Sequence, residues 1–285
     1  MGIGKVSSLA AASLSKVSSL AKLSIGKISS VTASFAAVFA DDKSLTFDGV
    51  NDYVDISDFT FTNQNITISW WAKRQQYIGN GEVMIAAFDD ITSDQWYSSF
   101  LVQYWGPDGV RIGVGNNSGS YLFENCGNIG FTHDVWHHFV YTCGAGAETA
   151  YVNPANMALY MDNDLVWEPT FNEEEGTTVG TASPAYKLYI AAAPSGTSTF
   201  TGNINDVSVH SAVLDSRNIG AIYNSGAAID LTSNSGDYNA ASDLAGYWLM
   251  GDGDTYPTIE DQTSNGNDGT MTNMTSGDIV TDAPS

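Results

Sequence analysis

Residues 44–56, SLTFDGVNDYVDI, constrain this chain most. Leu45 and Phe47 alternate with polar neighbours, and so do Val54 and Ile56, while Asp48, Gly49, Asn51 and Asp52 interrupt the apolar pattern between them. A period of two marks half-buried strands, and Asp, Gly and Asn are the residues that turn a chain back. Two short strands around a tight acidic turn are therefore predicted. Everything before them is basic and repetitive, and everything after them is acidic, aromatic and strand-like.

The same alternation recurs downstream. In 65–73, NITISWWAK, Ile66, Ile68 and Trp70 fall on one side and Thr67, Ser69 and Trp71 on the other. Residues 83–88, 98–105, 110–114, 121–123, 135–142, 186–191, 203–208 and 245–250 read as further strands between Gly/Asn/Asp-rich turns. In 158–167, apolar flanks around Asp162-Asn163-Asp164 predict a hairpin. Only 214–226 changes period: Ile219, Ile222 and Tyr223 sit at helical spacing, Asp215 or Ser216 can cap the start and Gly226 can end it. Many short strands with one short helix predict an all-β, antiparallel β-sandwich. At 43% hydrophobic and 12% aromatic the chain can fill such a core, and Trp70 or Trp71, Trp136 and Trp248 are expected in it. Cys126 and Cys143 are the two cysteines, either bonded across strands or buried singly.

The first 40 residues hold four lysines and no acid, a charge of +4, against -26 for the remainder. A body that acidic repels phosphate, so nucleic acid is not an expected partner. No apolar run approaches 18 residues, so no membrane-spanning helix is expected. In the arm, IGKVSSL, LSKVSSL and IGKISSV recur every eleven residues, placing Lys5, Lys16 and Lys27, Val6, Val17 and Ile28, and Leu9, Leu20 and Val31 in register. An eleven-residue period suits a helix with slight right-handed supercoil, and a stack of short extended segments is the competing structure. In either form one copy cannot bury its apolar side alone, so the repeat calls for sibling arms in an oligomer or a receptor surface. Residues 31–40 look superficially like a leader's apolar region and cleavage site, but the repeat ahead of them argues against that reading. The expected organisation is an anchoring arm over 1–42 and a sandwich over 43–285, with 240–285 as closing strand and acidic tail.

Segments FDGVNDYVDI (47–56), ITISWWAK (66–73), WHHFVYT (136–142), LYMDNDLV (159–166) and 200–226 resemble, in order, the motifs of laminin G-like domains of the concanavalin A-like lectin/glucanase superfamily. That resemblance implies a jelly roll, with AGYWLMGDGD and SNGNDGTM supplying a closing strand in permuted order. The GKVSS/SKVSS/GKISS arm is similar to N-terminal segments of marine bacteriophage structural proteins. The likeness implies a virion-surface protein, a capsid decoration or fibre that binds sibling or other virion chains through its arm. A secreted, extracellular carbohydrate-binding or adhesion module is the alternative, and a polysaccharide hydrolase the third class.

The chemistry favours binding over catalysis. Glucanases of the superfamily set carboxylates on one strand face in a Glu-x-Asp-x-Glu pattern, which this sequence lacks. Glu173, Glu174 and Glu175 are consecutive among loop formers, and His137 and His138 are adjacent and so face opposite ways. Calcium is the cofactor that the resemblance implies, since laminin G-like sandwiches often hold it in their loops, and acidic loops supply the six to eight oxygens it takes. Asp48, Asp52, Asn205 and Asp206 form one candidate set, and Asp252, Asp254, Asp261 and Asp268 a second. Turn-shaping by the same residues is the competing reading. Glycan stacking is expected at Trp96, Tyr97, Trp105 and Tyr121, aromatics that lie beside turns.

Overall fold

A computed structural model describes residues 39, 41–56, 59, 65–75, 81–88, 100–106, 109–115, 121–144, 156–170, 187–193 and 198–285. The chain divides between Val38 and Phe39, and the described residues belong to the second unit. The arm residues singled out above (Lys5 to Val31) and the pair Trp96 and Tyr97 lie outside the described residues.

Two antiparallel sheets face each other. The first takes β1 (Ser44–Asp48), β3 (Ile66–Arg74), β8 (His137–Cys143), β9 (Ala158–Met161), β10 (Asp164–Trp167), β12 (Thr201–His210) and β16 (Ile279–Val280), ordered β10-β9-β8-β3-β12-β1-β16. Strand β13 (Leu244–Trp248) also pairs with β12. The second takes β2 (Tyr53–Ile56), β4 (Glu82–Phe88), β5 (Phe100–Tyr104), β6 (Gly109–Gly115), β7 (Tyr121–Asn128), β11 (Lys187–Ile190), β14 (Thr258–Ile259) and β15 (Gly269–Thr272). Its order is β14-β15-β2-β11-β4-β5-β6-β7. This is the all-β antiparallel sandwich that the strand pattern predicts.

The strands around 44–56 form as read, but they do not pair with each other. β1 joins β12 and β16, β2 joins β11 and β15, and the turn between them bridges the two sheets. The C-terminal stretch closes both sheets, β13 and β16 in one and β14 and β15 in the other.

Alternation sorts β3 as expected. Ile66, Ile68, Trp70 and Ala72 enter the main core, where Trp70 stacks on Phe139 at 5.5 Å. Thr67, Ser69 and Trp71 take the opposite face. Over that face lies the helix α1 (Ser216–Tyr223), whose Ile219 and Ile222 bury with Val140, Leu231 and Tyr247. Asp215 caps it by accepting from the Asn218 backbone N–H, and Asn224 ends it in a left-handed conformation two residues before Gly226. Cys126 and Cys143 are both free thiols. Among the described residues no helix is long and apolar enough to cross a membrane.

One ion pair is buried inside the sandwich. Arg74 ends β3 in the first sheet, Glu82 opens β4 in the second, and the guanidinium engages both carboxylate oxygens. Arg74 also lies 4.5 Å over the Tyr104 ring, and Glu82 accepts the Thr201 backbone N–H.

Candidate functional site

A cleft of about 320 Å³ opens where α1, the β9–β10 turn and the start of β8 meet, lined by Trp71, Val135, Trp136, His137, Asp162 and Tyr223 among others. Trp71 reaches it because Trp70, its neighbour on β3, takes the core. The Trp71 and Tyr223 rings lie 6.0 Å apart at 28°, and His138 packs against both. His138 is fully buried, neither ring nitrogen has a partner, and burial pushes its imidazole down to about 3, so it is neutral.

Asp162 is held from two sides. It sits at φ 52° in the two-residue turn that the hairpin signal predicted. Its Oδ1 accepts the His138 backbone N–H at 2.9 Å, and its Oδ2 lies 2.6 Å from His137 Nδ1. His137 Nε2 accepts the Thr132 backbone N–H at 3.0 Å, so Nδ1 carries the proton and donates it to Asp162. A carboxylate offers about four acceptor sites, so two remain for a ligand. Trp136 donates its indole N–H to Asp282 at 3.1 Å. Lys73 pairs with Asp282 and stands 5.4 Å from the Trp136 ring centre. Trp136 is thus a partly exposed surface residue, not the core residue expected, because it lies just ahead of β8 and outside its alternation.

The aromatics expected to stack on sugars lie elsewhere. Trp105 carries the Arg111 guanidinium on its ring at 3.5 Å, and Arg111 also lies 3.9 Å from the Phe123 ring centre. Tyr121 opens β7, and its side chain lies outside the described part.

The acidic residues regroup. Asp48 accepts the Val50 backbone N–H, and Asp52 accepts that of Asp48, so both shape the turn between the sheets. Asp48 pairs in register with Thr201, four residues along β12 from Asn205, roughly 13 Å away at strand spacing. Asp254, Asp261 and Asp268 accept backbone N–H groups of Gly251 and Glu260, of Tyr247, Thr263 and Asn267, and of Asp261 respectively. Burial raises Asp254 to about 6.

Asn205, Asp206 and Asp252 instead meet Asp41, which sequence reasoning did not single out. β12 slips register against β3 between Asn205 and Ser208, and Asp206 adopts φ 53° within that bulge. Asn205 donates its side-chain N–H to Asp41 at 2.7 Å, Tyr247 donates its hydroxyl to Asp206 at 2.6 Å, and Asp41 hydrogen-bonds Asp252. Asp252 also accepts the Lys43 backbone N–H. Burial, with Asp206 close by, raises Asp41 to about 9, and burial raises Asp206 to about 7. Asp41 Oδ1 and Asn205 Oδ1 are buried without a partner. An all-oxygen donor set, short of positive charge and with two unpaired oxygens, has the chemistry that suits a hard cation such as calcium. Among the described residues no three His, Cys, Asp or Glu side chains stand grouped as a ready metal cage.

The sequence profile of the concanavalin A-like lectin/glucanases superfamily matches residues 48–220. The chain belongs to this superfamily. Among solved structures it is similar to a proposed carbohydrate binding protein from Bacteroides ovatus, at 15% identity and a TM-score of 0.55, over 86% of this chain and 62% of that one. It also aligns with a heptameric SAP-like pentraxin from Limulus polyphemus, at 14% identity and a TM-score of 0.48, over 66% of this chain and 84% of that one. The CBM40 of the Ruminococcus gnavus IT-sialidase, bound to alpha2,3 sialyllactose, aligns at 14% identity and a TM-score of 0.49, over 64% of this chain and 96% of that one. No curated protein matches the sequence. The superfamily match begins after the arm, so the phage-protein likeness of 1–42 draws no support from it.

Proposed function

We propose that this superfamily member is a non-catalytic glycan-binding module, with the cleft beside α1 as its site. The observation that carries this is one cleft presenting two partly exposed ring systems, Trp136 and Tyr223, beside a pinned acceptor, Asp162. Ring faces take the C–H face of a pyranose, and a carboxylate takes its hydroxyls. Of the eight residues that line the cleft, the six named above with Gly226 and Ser285, only Asp162 has a carboxylate side chain, whereas glycoside hydrolysis uses two across the scissile bond. Tyr223→Ala and Trp136→Ala are each expected to weaken binding about tenfold, the worth of one aromatic contact, with thermal melts confirming that each variant is folded at the assay temperature. Screening the full chain on immobilised glycans, then titrating the best binder into both variants, checks this. A chain that binds no glycan, or variants that bind like the parent, would sink it.

Asp41, Asn205, Asp206 and Asp252 are the residues proposed to hold calcium, which when bound supplies the positive charge that these buried acids lack. The arm completes the proposal. Its three-fold repeat anchors the sandwich in an assembly, of sibling chains or of other virion proteins, and leaves the sandwich displayed at the surface. Support for that part comes from the repeat alone. Light scattering should find the full chain a discrete oligomer and residues 39–285 a folded monomer. A monomeric full chain removes the self-assembly role.

A further inference from the structure

We propose that the cleft is selective for uncharged glycans: it takes neutral hexopyranosides and rejects sugars that carry a carboxylate, such as sialosides and uronosides. This rests on the glycan reading above and specifies its ligand class.

The argument is one of charge and donors. Trp71, Val135, Trp136, His137, Asp162 and Tyr223 include no residue of fixed positive charge. The imidazole that faces the cleft has no donor to offer an anion. His137 gives its Nδ1 proton to Asp162 and accepts at Nε2 from Thr132. His138, behind Trp71 and Tyr223, is neutral and buried. The cation beside the cleft, Lys73, is already paired with Asp282. The arginines are engaged elsewhere: Arg74 with Glu82 inside the sandwich, Arg111 against Trp105 and Phe123, and Arg217 with Asp237. Asp162 therefore sets the sign of the site.

A sugar carboxylate entering this space would lose water and meet a like charge, with no unpaired cation among the described cleft residues to replace the lost hydration. A pyranose hydroxyl would instead donate into the two acceptor positions that Asp162 keeps open. Both of its oxygens are already held by protein N–H groups, so it reaches that geometry without losing further freedom. The charge of -26 beyond the arm adds a repulsive field in the same sense.

The test is titration calorimetry of the full chain with neutral and anionic partners: lactose against 3′-sialyllactose, which adds a sugar bearing one carboxylate, and mannobiose against dimannuronate, which carries a carboxylate on each ring. The neutral member of the bound pair should bind at least tenfold more tightly than its anionic partner. Asp162→Asn keeps an acceptor for the His138 N–H and removes the charge, and it should shrink that ratio to about threefold or less. Raising the salt to 1 M should narrow it in the parent, where charge repulsion is screened. Equal or tighter binding of the anionic partner overturns the selectivity and leaves glycan binding standing. So does a ratio that survives both Asp162→Asn and high salt. If neither these pairs nor the wider glycan screen shows binding, the glycan reading falls and this inference falls with it.

Discussion

Arg74→Met should cost the fold about 3–5 kcal/mol, the usual effect of stripping one partner from a buried ion pair. Arg74 and Glu82 join the two sheets within the sandwich, and their side chains are 0% and 5% exposed. With methionine in place, Glu82 keeps its burial and the Thr201 N–H but loses its counter-charge. The Tyr104 and Phe131 rings, 4.5 and 5.7 Å from the guanidinium, lose their cation as well. Urea unfolding of parent and variant measures the loss. Arg74→Met combined with Glu82→Leu should recover much of it, because the double variant buries no charge. A single-variant loss below about 1 kcal/mol would show that water reaches Glu82 and that the pair behaves as a surface one.

In the absence of divalent cations, stability should fall as pH rises from about 4 towards 9. The sign follows from the acid cluster. Asp41 and Asp206 have native values raised to about 9 and about 7, from an ordinary carboxylate value of 3.8. Over that interval the native state binds more protons than the unfolded one, so the contribution is full below about 4 and is lost as pH climbs through the native values. Millimolar calcium should flatten the slope and raise the melting temperature most at pH 8, where the acids most need a counter-charge. Asp206→Asn should flatten it without calcium. Thermal melts from pH 4 to 9, with calcium and with a chelator, decide the matter. A melting temperature indifferent to both pH and calcium would mean that the cluster neither titrates in this range nor takes the ion.

Local patterns were legible where they concern one element. Alternation on β3 put Trp70 and Trp71 on opposite faces without saying which faces the core, Asp162 and Asn163 announced the turn that now holds the cleft's acceptor, and the change of period marked α1. What alternation cannot specify is a strand's partner, so the placing of β1 and β2 in different sheets had no local signal. The acid cluster was hidden for a related reason. Asp41 lies 164 residues from Asn205, and Asp252 lies 209 from Lys43, so sequence neighbours such as Asp48 and Asp52 looked like the better companions. They proved to be turn residues satisfied by their own loop. Trp136 and Tyr223 were read as core and as helix, because neither carries a mark that distinguishes a cleft wall from packing.

The register of β1 also has a consequence for how this chain is made. Ser44 finds Asn203 of β12 159 residues along, and its other neighbour, β16, comes later still. At about 5–20 residues per second, a ribosome reaches that partner roughly ten to thirty seconds after it has added Ser44. Through that delay Leu45 and Phe47, buried in the finished sandwich, travel on a strand with nothing beside it. The first sheet can close only once Ile279 and Val280 have been made, and until then a nascent chain carries an unpaired apolar strand of the kind that invites edge pairing.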